Sequence, residues 1–113
     1  MKKGSGHFLA QRISALLLIP LTVWFCLALA SLPGAAYADI VDWIRQPLNA
    51  VLLAAFLLGG IYHGELGMQV VIEDYVAPGM LRRVLLGLLR LMRGTSMMLA
   101  LFFIFLISFG PLS

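Results

Sequence analysis

Three long apolar stretches constrain this chain more than anything else in it. Residues 13–32 carry no charge, residues 47–72 carry one acid (Glu65) and one histidine (His63), and residues 94–112 again carry none. A helix needs about 20 predominantly apolar residues to cross the hydrocarbon core of a bilayer. Backbone groups there must be bonded within their own segment, so these stretches are expected as helices. With 113 residues, 62% of them hydrophobic, almost nothing is left for an extramembrane domain. An active site for soluble chemistry has nowhere to sit. The expected fold is an all-α membrane protein, a single domain over 1–113, with three transmembrane helices near 10–32, 47–74 and 84–110.

The formal net charge of +3 is no sign of a nucleic-acid partner; its distribution is what informs. Lys2, Lys3 and Arg12 precede or open the first span, and Arg82, Arg83, Arg90 and Arg93 fall between the second and the third. Only Arg45 lies in the other loop, beside Asp39 and Asp42. By the positive-inside rule the N-terminus is expected to be cytoplasmic and the C-terminus periplasmic. The first apolar run exceeds the h-region of a cleavable signal peptide, and no Arg/Ser-rich transit peptide precedes it. A bacterial inner membrane is therefore the expected location, with membrane lipid around the chain. The single Cys26 has no partner for an internal disulfide and reads as lipid-facing or packing.

Punctuation residues divide the chain. Pro20 within span 1 is tolerable in a bundle, and Pro33-Gly34 ends that span. Asp39 is expected as the N-cap of a short surface helix with Ile40, Val41 and Ile44 on one side. Tyr37 and Trp43 suit the membrane interface. Pro47 fits the first turn of span 2, and Pro78-Gly79 makes the next turn. Span 3 opens with Met80–Arg93, whose arginines can snorkel, and ends at Gly110-Pro111.

His63 is the first candidate functional residue. A histidine is costly in hydrocarbon unless something holds it, and intramembrane ionisable residues are functional candidates by default. On a helix, Gly60 and Gly67 lie directly above and below His63, with Gly59 and Gly64 on its flanks. Two readings compete. Gly60-x-x-x-Gly64 is a small-x-x-x-small pattern that lets helices approach. Alternatively, the bare face takes a porphyrin, with the imidazole on its iron. Without a ligand the histidine would still need a polar partner, and span 1 offers Ser14, Thr22 and Ser31. His7 lies well outside the depth of His63, so a six-coordinate haem would need its second axial ligand from another chain. That makes the protein part of a larger complex.

Arg12 opens span 1 on the same side, either as a positive-inside anchor or as a bidentate partner for a haem propionate. Ser14 either faces the same pocket or packs. Glu73-Asp74-Tyr75 closes span 2, either as interfacial residues or as a quinone site. In the latter case the Tyr75 hydroxyl donates to a quinone carbonyl and a nearby acid orients it or passes protons. Glu65 lies on the face opposite His63, to be paired with a neighbouring protein of the complex or an arginine of span 3, or to be kept neutral.

The stretch His63-Gly64-Glu65-Leu66-Gly67-Met68-Gln69-Val70-Val71-Ile72-Glu73-Asp74-Tyr75-Val76 closely resembles a known signature. It is that of the hydrophobic membrane anchor of succinate dehydrogenase, His-x-x-x-Gly-(Met/Leu)-x-x-(Val/Ile)-x-x-Asp-Tyr-(Val/Ile). Gln11-Arg12-Ile13-Ser14-Ala15 resembles the family's Arg-x-(Ser/Thr)-Ala opening of span 1. The resemblance implies a partner, the cytochrome b556 anchor, which is the other three-helix membrane protein of respiratory complex II, and one haem b held between the two. It also implies docking of the iron–sulfur subunit and the flavoprotein subunit on the cytoplasmic side. It makes His63 an axial ligand of the haem iron, puts Arg12 near the propionates, and sets Asp74 and Tyr75 beside ubiquinone. It assigns nothing to Glu65. The expected function is a membrane anchor of the succinate:ubiquinone oxidoreductase, not catalytic alone. The alternatives are a haem-b anchor of another respiratory dehydrogenase, which would carry more spans and more histidines, or a small non-redox membrane protein.

Overall fold

The computed structural model describes residues 2–110 and contains four helices. Side chains of residues 2–5 and of His7 lie outside the described residues, as do Met1 and residues 111–113. The expectations for Lys2, Lys3, His7 and Pro111 fall there. Helix α1 covers Lys2–Ala30, α2 Tyr37–Arg45, α3 Pro47–Tyr75 and α4 Met80–Phe109. Three of them are long and apolar enough to cross a membrane: Phe8–Ala30 of α1, all of α3 and all of α4. No strand occurs among the described residues.

Local chemistry explains where each helix stops. Beyond Ala30, Ser31 and Leu32 tighten into three-residue bonds to Ala28 and Leu29, each 3.1 Å. Gly34 then takes φ +80°, a left-handed conformation that only glycine adopts readily. Asp39 does cap α2, but from the third helical position rather than as N-cap. The N-cap is Ala36, whose N–H donates to the Asp39 carboxylate at 3.1 Å. A carboxylate in the first turn also suits the helix dipole. Pro47 opens α3, where its missing N–H costs nothing. The Asn49 amide donates to the Trp43 carbonyl at 2.9 Å and ties α3 to α2.

Two arginines finish two helices. The last carbonyls of a helix have no partner within it, and a cation there is favoured by the dipole. Arg82 donates to the Glu73 and Val76 carbonyls at 2.6 and 3.1 Å, closing α3. Arg45, at the end of α2, donates to the Ile107 and Gly110 carbonyls, each at 2.8 Å, closing α4. Arg45 thus joins the short surface helix to the end of the third span.

Helix α3 is the middle of the molecule. It packs against α1 on one side and α4 on the other, while among the described residues α1 and α4 do not touch. Stacked rings hold α1 in place: Phe25 on Phe56 of α3 at 4.6 Å and Trp24 on Trp43 of α2 at 5.6 Å. Each such pair contributes about 0.5–1.5 kcal/mol beyond its buried area. The result is a slab of 51 × 26 × 23 Å with apolar side chains over most of its surface. Among the described residues only Ser14, Val41, Glu65 and Leu66 are buried. Two of these four are polar, and each sits on one side of α3.

Helix α4 starts at Met80, where the opening of span 3 was expected. Arg93 is therefore about 20 Å along α4 at 1.5 Å per residue. It lies inside the helix, as the expected opening of span 3 had it, but it is paired rather than snorkelling.

Candidate functional site

The α1–α3 seam brings three of the expected site residues together. His63 is half-buried on α3, and its Nδ1 lies 2.8 Å from the hydroxyl of Ser14 on α1. That hydroxyl is also 3.0 Å from the Gln11 carbonyl one turn back. Ser14, at 7% exposure, is among the few polar side chains the chain buries, and a buried polar group needs such partners. Phe8, Gln11, Arg12, Ala15, His63 and Val70 line a pocket of about 470 Å³. The Arg12 guanidinium lies 4.8 Å from the centroid of the Phe8 ring, a cation–π contact at the pocket wall.

The glycines beside His63 divide between the two expected uses. A side chain at Gly59 would meet Leu18 of α1 at 3.3 Å, so Gly59 lets the two helices close. A side chain at Gly60, Gly64 or Gly67 would meet nothing within 4 Å. Those three positions leave bare backbone beside the imidazole. The helix packing expected of Gly60 and Gly64 falls to Gly59 instead, and the open positions at Gly60, Gly64 and Gly67 are those on which the porphyrin reading would rest.

Among the described residues no group of three or more His, Cys, Asp or Glu could hold a bare metal ion. A lone imidazole instead suits a metal that brings its other ligands, as haem iron brings four porphyrin nitrogens. One imidazole, a flat glycine surface and an arginine at the rim fit one side of such a group.

The opposite side of α3 is tied to α4 by an ion pair. Glu65, two residues from His63 and 7% exposed, accepts from Arg93 of α4 at 2.9 Å. Of the partners expected for Glu65, the arginine of span 3 is the one found. Gly64, Glu65, Met68, Leu88, Arg93 and Ser96 line a groove of about 540 Å³ on that side.

Asp74 and Tyr75 lie apart from both. Tyr75 is the last residue of α3, about 18 Å along the helix from His63. It is 84% exposed, and Asp74 is exposed beside it. Here the sequence reading missed Arg82, whose bonds to the Glu73 and Val76 carbonyls brace the chain on both sides of this pair. An arginine just past a Pro-Gly turn was the available signal.

Known proteins resemble the chain over most of its length. Residues 1–89 match the family model described as succinate dehydrogenase/fumarate reductase transmembrane subunit. A succinate dehydrogenase hydrophobic membrane anchor subunit of Rickettsia bellii (strain RML369-C) is 35% identical over 85 residues, 75% of this chain and 68% of the relative. The protein of that name from Rickettsia conorii (strain ATCC VR-613 / Malish 7) is 34% identical over 91 residues, 80% of this chain and 72% of the relative. Its namesake in Paracoccus denitrificans is 29% identical over 77 residues, 68% and 60% of the two chains. No solved structure matches significantly.

Proposed function

The chain belongs to the succinate dehydrogenase/fumarate reductase transmembrane subunit family, and from that premise we propose that it is the hydrophobic membrane anchor of a bacterial succinate dehydrogenase. It sits in the inner membrane, docks the iron–sulfur and flavoprotein subunits, and shares one haem b with the cytochrome b556 anchor. Bound haem supplies one-electron redox chemistry. This chain supplies the surroundings. His63 would hold the haem iron through an imidazole nitrogen, together with a ligand from another protein of the complex. Arg12 pairs its guanidinium with a propionate. Tyr75 donates its hydroxyl to a carbonyl of ubiquinone, and Asp74 orients that hydroxyl or passes a proton. The apolar helices exclude water from the haem side.

What supports the haem assignment best is His63 itself. It is half-buried, it faces a pocket shared with Arg12, and bare backbone at Gly60 and Gly67 flanks it along the helix. His63→Ala should abolish or shift the reduced b-type spectrum while the protein still inserts. An unchanged spectrum with an unchanged midpoint would remove His63 as ligand.

Lys2, Lys3, Arg12, Arg82 and Arg83 support a cytoplasmic N-terminus and a periplasmic C-terminus. A topology reporter fused after Ser113 should be active only as an exported domain, and cytoplasmic activity there would reverse this orientation.

A further inference from the structure

We propose that Ser14 is a positioning residue for His63, its hydroxyl fixing the imidazole tautomer that leaves Nε2 as a bare lone pair. The inference rests on the reading of His63 as an axial ligand and deepens it.

The assignment follows from counting protons. Ser14 Oγ lies 3.0 Å from the Gln11 carbonyl oxygen and 2.8 Å from His63 Nδ1. A hydroxyl has one proton to give, and a carbonyl oxygen can only accept. The contact to Gln11 therefore uses the Ser14 proton, and Oγ meets Nδ1 with a lone pair. Nδ1 must then carry the ring proton and donate it to Ser14. In a neutral imidazole that leaves Nε2 without a proton, which is the form that coordinates iron.

The reverse arrangement is worse on its own terms. If Ser14 donated to Nδ1, the proton would sit on Nε2. No group among the described residues accepts from Nε2, so an N–H there would find no acceptor within this chain. A bare Nε2 strands no donor and presents what a metal takes. Ser14 is also too enclosed, at 7% exposure, for bulk water to replace it as the acceptor. The residue comes from α1, 49 positions away, so the α1–α3 seam itself sets the ring's orientation.

A partner on the far nitrogen of a ligating histidine raises the ligand's basicity, and losing such a partner costs about 10–100-fold in metal affinity or activity. A more basic imidazole favours ferric iron. Ser14→Ala should therefore raise the haem midpoint potential, alter the ferric electron paramagnetic resonance spectrum and weaken haem retention by about 10-fold or more. Ser14→Thr keeps the hydroxyl and should restore all three. The measurement uses whole complex purified through a tag on this chain, with haem b content, redox titration and resonance spectrum read on the same sample. Wild-type midpoint and spectrum in Ser14→Ala would overturn the proposal. So would failure of both variants to assemble, because packing alone would then explain Ser14. Failed assembly in Ser14→Ala that Ser14→Thr reverses would support it. His63→Ala, measured alongside, separates the two claims. An unchanged spectrum there defeats the ligand reading, whereas an altered spectrum there with a silent Ser14→Ala defeats the positioning role alone.

Discussion

One helix carries two ionisable side chains two residues apart, and its two sides treat them in opposite ways. His63 faces α1, where one serine touches it, Gly60 and Gly67 leave backbone bare along the helix and a pocket opens beside it. Glu65 faces α4, where Arg93 neutralises it within the chain. A polar group in hydrocarbon must be satisfied by something. Glu65 is satisfied by this protein alone. His63 has one nitrogen satisfied and the other left available, and the bare glycines make room for what would meet it. The α3–α4 seam therefore reads as structure and the α1–α3 seam as a binding surface.

The sharpest way to break that comparison is at Arg93. Removing one member of a buried ion pair leaves an uncompensated charge, at a cost of about 3–5 kcal/mol. Arg93 is 37% exposed, so the lower end of that range applies. Arg93→Leu should depress accumulation of the protein in membranes and lower the thermal stability of the solubilised complex. The double variant Glu65→Leu/Arg93→Leu should recover most of the loss, because two well-packed apolar residues can replace a buried pair. The haem spectrum of whatever assembles should be unaltered. A double variant as damaged as the single one, or a shifted spectrum with intact stability, would give Glu65 a role beyond holding α3 to α4.

A second, smaller contrast lies among the glycines. Gly59→Leu forces a side chain against Leu18, which its Cβ already meets at 3.3 Å. Overpacking of that kind costs about 1–3 kcal/mol and should loosen α1 from α3. A Cβ at Gly60 meets nothing within 4 Å, so Gly60→Leu should preserve insertion and the α3–α4 pairing. It should instead lower the haem b content per complex, since the new side chain occupies the bare surface beside His63. Full haem content in Gly60→Leu would mean that this surface is not where a flat group lies.

The features legible in the sequence are those with local causes. Three spans follow from uninterrupted apolar runs, and Pro47 marks the start of α3 because its ring suits a first turn. The bare face around His63 follows from 3.6-residue periodicity alone. What depends on how helices meet was not legible. Ser14, Thr22 and Ser31 were equal partners for His63 until the register of α1 against α3 selected Ser14. Glu65 had three possible fates, and only the depth of Arg93 along α4 chose between them. That Arg93 sits within the opening of span 3 was legible, since α4 starts at Met80, right after Gly79 at φ +153°, and runs unbroken through its arginines. The reach of Arg45 to the Ile107 and Gly110 carbonyls had no sequence signal, since over 60 residues separate the partners.

The smallest expected effect belongs to Tyr75, which lies on neither seam. Its ring is 84% exposed at the end of α3, with the local backbone held by Arg82 rather than by the tyrosine itself. Tyr75→Phe should therefore leave folding, haem content and the α3–α4 pairing untouched. If the hydroxyl donates to a quinone carbonyl, its loss removes one hydrogen bond, worth about 0.5–1.5 kcal/mol to a neutral acceptor and more to a charged one. At about 1.4 kcal/mol per factor of ten, that is roughly a 2- to 12-fold loss. Because charge builds on the quinone oxygen as it is reduced, the bond strengthens along the reaction, so turnover should fall along with quinone binding. Succinate oxidation with a soluble dye should be nearly unchanged, because in the proposed complex that chemistry lies in the iron–sulfur and flavoprotein subunits. Asp74→Asn should follow the same pattern if Asp74 orients the hydroxyl or relays a proton. The ratio of quinone-linked to dye-linked activity in assembled complex decides the matter. Equal loss of both activities would indicate failed assembly and tie Tyr75 to the scaffold after all. No loss of either would leave it an interfacial anchor, and the quinone role proposed for the end of this helix would fall.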